Sequence, residues 1–104
     1  MNCKLYFDSS DSFNIIVRLY QQDKLLVEKT KLQKFTSQAL LPLINQVCQT
    51  AKIKITHISA VEFNTGPGSY TGLKVGAAIA NTLGWFLKIP VNGKINIPIE
   101  PVYQ

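Results

Sequence analysis

The chain has 104 residues, 46% hydrophobic and 16% charged, which fits one domain with a real core and excludes a disordered tail. The net charge of +5 rests on scattered lysines and a single arginine, Arg18; arginine is the usual bidentate reader of phosphates and bases, so the charge reads first as solvation, with weak attraction to RNA or an acidic partner as the alternative. No apolar run reaches the roughly 18–20 residues of a membrane span, and the opening MNCKLYFDSS carries no apolar signal core, so a cytoplasmic protein is expected.

Residues 4–8, KLYFD, read as a strand entering a turn at Ser9, Ser10, Asp11 and Ser12. FNIIVRLYQ, 13–21, reads as a second strand, with Ile15, Val17 and Leu19 on one side and Ile16, Arg18 and Tyr20 on the other. Gln22 and Asp23 mark a turn, and LLVEKTKL, 25–32, completes an antiparallel meander. From Leu40 the apolar residues fall at 40, 43, 44, 47, 48 and 51, a helical stripe. Thr36 or Ser37 is the expected cap. Pro42 is expected to remove one hydrogen bond and bend the first turn. The helix should end near Lys52, whose charge suits the helix dipole. Cys3 and Cys48 match no metal or redox spacing and read as reduced, partly buried thiols.

After a linker, AVEFNT, 60–65, reads as a fourth strand, and 71–88 as a second helix ended by Pro90. Val91 can begin a fifth strand, and residues 92–104, with two prolines, read as an extended C-terminal segment. The order β-β-β-α-β-α-β gives an α/β fold: a mixed sheet with two helices. It matches the ribonuclease H-like fold of the actin-like ATPase superfamily.

Four of the six glycines lie in NTGPGSYTGLKVG, residues 64–76. As a phosphate cradle the stretch fails the Walker pattern, because Leu73 separates Gly72 from Lys74, and it misses G-x-G-x-x-G at Thr71. Backbone amides at a helix start can still hold an anion, with Asp8, Ser9, Ser10, Gly66, Gly68 and Ser69 as the phosphate or turn residues. As a tight corner, Gly66 and Gly68 supply φ > 0, Pro67 fixes φ between them, and Ser69 or Thr71 caps the helix. Gly72, Gly76, Ala80 and Gly84 then form a strip of small side chains. Glycine inside a helix costs about 1 kcal/mol against alanine, so the strip implies a close approach to a neighbouring helix or sheet. Trp85 lies beside a polar stripe of Lys74, Asn81 and Lys88, either as a partner contact or as a half-buried core residue.

The segment NTGPGSYTGLKVGAAIANTLGWFLKIPV resembles the signature of the TsaB (YeaZ) family, as does FTSQALLPLINQVCQTAKI upstream. The opening LYFDSSD is similar to the family's first strand, with Asp8 at its aspartate and Ser9 at its threonine. The resemblance runs from about residue 3 to Val91. It implies an actin-like subunit without catalytic power of its own, which partners the TsaD catalytic protein. With TsaE, and with TsaC-type enzymes upstream, the two place threonylcarbamoyl on the adenosine beside the tRNA anticodon. It implies a TsaD-binding face on the helices at about 37–51 and 71–88, drawn from Leu41, Ile44, Asn45, Cys48, Thr71, Lys74, Val75, Gly76, Ala78, Thr82 and Trp85. ATP or ADP and metal are expected on the TsaD-type partner, not on this chain, and tRNA contact is expected to be indirect. The family has two actin-like domains, whereas residues 1–91 match only the first. The second lobe normally closes the nucleotide cleft, so an ATP site within this chain is not expected. The family often has histidine where Thr36 stands. IEPVYQ resembles the C-terminal end of full-length members, which suggests a reduction that removed the second domain.

His57 is the only histidine and reads as a surface residue; Glu62 reads as solvent-facing or lysine-paired. No nucleophile–base pair stands out, and no metal site. The leading reading is a non-catalytic scaffold for a TsaD-type enzyme. The alternatives are a homodimer through the same face and an actin-like nucleotide binder using Asp8 and the glycine corner.

Overall fold

A computed structural model of the chain describes residues 2–11, 13–32 and 38–102. Its elements are β1 (Cys3–Asp11), β2 (Asn14–Gln21), β3 (Lys24–Leu32), α1 (Leu40–Ala51), β4 (Ile58–Phe63) and α2 (Tyr70–Leu87). The sheet order is β3-β2-β1-β4, antiparallel through the meander and parallel between β1 and β4. The left-handed pair Gln22 and Asp23 (φ 52° and 64°) joins β2 to β3, a twist that suits a two-residue hairpin.

Period-2 alternation sorts the sheet into two faces. Leu5 lies opposite Leu19 and Val61, and Phe7 opposite Val17 and Phe63, so one row of large apolar side chains crosses three strands. Phe7 and Phe63 stack with ring centroids 5.9 Å apart. Both helices cover this face, α1 over β2 and β3 and α2 over β1 and β4. Leu40, Leu43, Ile44, Val47 and Cys48 of α1 are buried there, the stripe the period predicts. Burying one such side chain contributes roughly 1.5–3 kcal/mol. The other face carries charge: Lys4 meets Glu62 at 3.4 Å and lies over Tyr20, and Arg18 meets Glu28 at 2.6 Å and lies over Tyr6. Glu62 is thus the lysine-paired strand residue that the sequence suggests.

Several expectations are corrected. The first strand does not turn at Ser9. It runs on to Asp11 with an irregularity between Asp8 and Asp11, because the strand end pairs with the start of α2. Pro42 breaks no hydrogen bond: α1 begins at Leu40, so Pro42 falls among the first-turn amides that have no partner within a helix, and Leu43 N–H makes the first bond, to Ala39. The expected caps Thr36 and Ser37 lie outside the described residues. The linker contains a single 3-10 turn, Ile55–His57, where His57 Nδ1 accepts from the Lys54 amide at 3.0 Å.

The fifth strand is a single bridge. Val91 bridges Val61, and Asn92, at φ 48°, then turns away. The Asn92 side chain extends the ladder one step further: its Oδ1 accepts from Phe63 N–H at 2.9 Å, and its Nδ2 donates to Phe63 O at 3.3 Å. The C-terminal segment is pinned rather than loose. Asn81 of α2 holds Ile99 by both backbone groups at 2.9 Å, and Val102 N–H reaches Thr65 O at 2.6 Å.

Candidate partner-binding face

The glycine strip sets how α2 lies. Gly72, Gly76, Ala80 and Gly84 are all buried. A Cβ on Gly72 would collide with the Ser9 carbonyl oxygen, one on Gly76 with Ser9 Oγ, and one on Gly84 with the Val91 side chain. The strip therefore lets α2 sink onto the sheet, the close approach that its cost implies. Ser9, 2% exposed, donates its Oγ–H to Gly72 O at 2.8 Å and so satisfies its own buried hydroxyl.

With the strip turned inward, the residues between point outward. Thr71, Lys74, Ala78, Thr82 and Trp85 are exposed, and Val75 is partly covered. Trp85 is 78% exposed and Phe86 69%, so the half-buried core reading of Trp85 does not hold. On α1, Leu41 (56% exposed) and Asn45 face out. Between the helices runs a groove of about 750 Å³, lined by Leu41, Asn45, Cys48 and Gln49 of α1, by Ile53 to Ile55, and by Leu83 of α2. Nine of the eleven expected face residues therefore line this groove or the outer stripe, but four need correction or qualification. Gly76 lies beneath Ser9 and has no outer surface. Ile44 (1% exposed) and Cys48 (5%) reach the groove floor from the core, because their stripe is the one that packs on the sheet. Val75 sits at the flank. Burial, with Cys3 nearby, pushes the Cys48 thiol up, which keeps it protonated and unreactive.

Phe86, Ile95 and Ile97 are missed by the sequence reading. They lie exposed around the C-terminal end of α2, where Ile95 and Ile97 flank Trp85. Two adjoining apolar residues after Trp85 carried no period that distinguished an outward aromatic from a core one.

The six phosphate or turn residues do come together. Asp8 Oδ1 accepts from Ser10 N–H at 2.9 Å and Ser10 Oγ at 2.6 Å, and Asn64 Nδ2 donates to Asp8 Oδ2 at 3.1 Å. Burial alone would push Asp8 up. The hydrogen bonds from Ser10 and Asn64, with the Arg18 charge, hold it below the usual carboxylate range. Three of the corner amides are engaged within the chain: Gly66 N–H to Asn64 Oδ1, Ser69 N–H to Ser10 O, Gly72 N–H to Ser69 Oγ. These bonds build a strand-to-helix corner. Gly66 takes φ 108° as expected. Gly68 does not take a positive φ; it is needed because a Cβ there would meet Ser10 O at 2.5 Å. Asn64 is a further missed member, and its place two residues before Gly66 is the side-chain turn signal that could have found it.

Among the described residues no group of three His, Cys, Asp or Glu could hold a metal ion, and no helix is long and apolar enough to cross a membrane. A family model described as TsaD, tRNA N6-adenosine threonylcarbamoyltransferase, matches residues 29–94. The chain is 30% identical over 87 residues to the tRNA threonylcarbamoyladenosine biosynthesis protein TsaB of Haemophilus influenzae, covering 84% of this chain and 36% of that protein. YeaZ from Pseudomonas aeruginosa superposes with a TM-score of 0.79 at 25% identity, over 88% of this chain and 42% of that one. A Bacteroides thetaiotaomicron protein with an actin-like ATPase fold shares the fold alone, with a TM-score of 0.56 at 13% identity over 92% of this chain and 35% of that one. The chain thus spans well under half the length of these proteins. Its matched residues hold the glycine corner, both helices and β4, and on that ground the chain belongs to the TsaD family, on its TsaB (YeaZ) branch.

Proposed function

We propose that this chain is a non-catalytic scaffold in tRNA N6-threonylcarbamoyladenosine synthesis, binding a TsaD-type enzyme through the two-helix face. The observation that carries the reading is the groove between α1 and α2, with Leu41 exposed on its rim, together with the exposed Trp85 and Phe86 near the C-terminal end of α2. Large apolar side chains exposed around a groove mark an interaction surface. In this reading ATP or ADP and metal belong to the partner, a TsaE-type ATPase joins the assembly, tRNA is met through the partner, and the complex works in the cytoplasm. Residues 1–91 act as one actin-like unit, and the C-terminal segment buttresses α2.

Light scattering of the chain mixed with the TsaD-type protein of the same organism tests this. A heterocomplex is expected. Leu41→Lys and Trp85→Ala should each weaken it by about tenfold or more, as for central interface anchors. No complex at micromolar concentration would overturn the scaffold reading.

A further inference from the structure

We propose that the outer edge of β3 receives an extended, acidic segment of a partner protein as a further strand of the sheet. The site lies at the sheet margin, apart from the groove between the helices, and does not depend on the scaffold reading.

The two edges of the sheet are treated differently. At the β4 edge the outward backbone groups of Val61 and Phe63 are all occupied. Val61 N–H donates to Pro90 O at 3.0 Å, Asn92 N–H donates to Val61 O at 2.9 Å, and the Asn92 side chain takes both groups of Phe63. At the opposite edge β3 runs for nine residues, and among the described residues nothing pairs with its outer side. An open edge offers a row of N–H and C=O groups to any extended chain, and natural sheets guard such edges with lysine.

Register decides what the lysines of β3 admit. Lys29 lies opposite Val17 and Lys31 opposite Ile15, and both partners are buried under the helices, so the two lysines stand on the helix side of the sheet. Glu28 is on the open side, bound to Arg18. α1 contains no acid, and among the described residues neither lysine has a carboxylate within ion-pair distance. Beside them a hollow of about 140 Å³ opens between β3 and α1, lined in part by Lys31, Gln38, Pro42 and Gln46. Alternate side chains of an added strand would stand on that side, so carboxylates there meet Lys29 and Lys31 and one side chain enters the hollow. On the open side the added strand would lie against Leu25, 45% exposed, and Leu32, 79% exposed.

A second copy is a poorer occupant of this edge. Two β3 strands paired about a two-fold axis keep Lys29 and Lys31 of both chains on one side of the joined sheet, and like charges opposed across strands are destabilising. A nucleic acid would satisfy the lysines, but its phosphates only accept hydrogen bonds and cannot match an edge that also presents acceptors.

The test uses blocked peptides of about eight residues, an ordinary strand length. One alternates valine with glutamate and one valine with lysine; two more are the glutamate peptide N-methylated on every second amide, in either phase. Binding is read by fluorescence anisotropy and by amide hydrogen exchange over residues 24–32, for the unmodified chain and for Lys29→Glu/Lys31→Glu. The glutamate peptide should bind about tenfold or more tighter than the lysine peptide and slow exchange in β3, and the double variant should reverse that preference. N-methylation in one phase should abolish binding and in the other leave it, because an added strand bonds through one edge only. No binding of the glutamate peptide at about millimolar concentration overturns the proposal. So does equal binding of both charge types, a double variant that keeps the acidic preference, or indifference to N-methylation in both phases. Protection of β3 that grows with the concentration of the chain alone would assign the edge to a second copy, and protection by tRNA in place of the peptide would assign it to nucleic acid; either overturns the proposal.

Discussion

Ser9 and Gly72 set the distance between β1 and α2. The Ser9 carbonyl occupies the space a Gly72 side chain would need, and the Ser9 hydroxyl is satisfied by the Gly72 carbonyl. Gly72→Ala gains about 1 kcal/mol of helix propensity but forces backbone apart from backbone. Overpacking of that kind costs about 1–3 kcal/mol or more, so the urea midpoint should fall. An unchanged or higher midpoint would mean that α2 does not rest there. Gly76→Arg belongs to the same class: it would disturb this contact rather than probe the partner face. Asp8 makes a second case at this scale. Its folded pKa is depressed, so the stability it contributes is fully present above the ordinary aspartate value of about 3.9 and is lost as pH falls through the folded value. Unfolding curves between about pH 6 and about pH 2 should show that loss, and Asp8→Asn should flatten it. A variant with the same acid limb would place the proton-linked group elsewhere.

Both helices end on lysines in the left-handed region, Lys52 at φ 58° and Lys88 at φ 57°. From the sequence, the lysine near the end of α1 reads as a charge placed against the helix dipole. The backbone shows it instead as the residue that closes the helix, with Ile53 N–H bonded to Cys48 O and, on α2, Ile89 N–H to Gly84 O. A side chain in that conformation is strained, and glycine is not. Lys52→Gly should therefore raise stability by about 0.5–1 kcal/mol, after allowing for the greater freedom of glycine in the unfolded chain. Thermal melts of the two proteins decide it; a lower melting temperature would show that the lysine side chain outweighs the strain. The same scale explains the lost fifth strand. Pro90 has no amide to give, and Asn92 in the left-handed region turns the chain off the sheet, so one side chain does what a strand would have done.

At the scale of the whole molecule, both helices lie on one face of the sheet and the other face is left to charge pairs. The C-terminal segment closes along α2 through Asn81 and Thr65. Asn81→Ala removes both bonds to Ile99, each net about 1 kcal/mol, and should make residues 93–102 the first site of limited proteolysis. Cleavage elsewhere first would mean that the segment is held by its apolar contacts alone. The meander, both helices and the inward face of β2 are legible in the sequence, because period 2 and period 3.6 are local properties of the chain. So is the close packing of α2, because three glycines in one helix have a cost that only contact offsets. The rotation of each helix about its axis is not local. α2 is apolar nearly all round, so its period cannot say whether Gly76 or Trp85 faces the sheet. Only the carbonyl of Ser9, more than sixty residues away in the chain, decides that. The separation of lysines from carboxylates is likewise invisible along the chain and appears once the sheet puts Glu28 and Glu62 on one side and the helices on the other. The amino-acid sequence by itself determined the meander, both helices, the tight corner and the family, but not the bridge that stands in for a fifth strand at Val91. The tertiary structure decided which surfaces remain for a partner, because burial depends on neighbours that are distant in sequence.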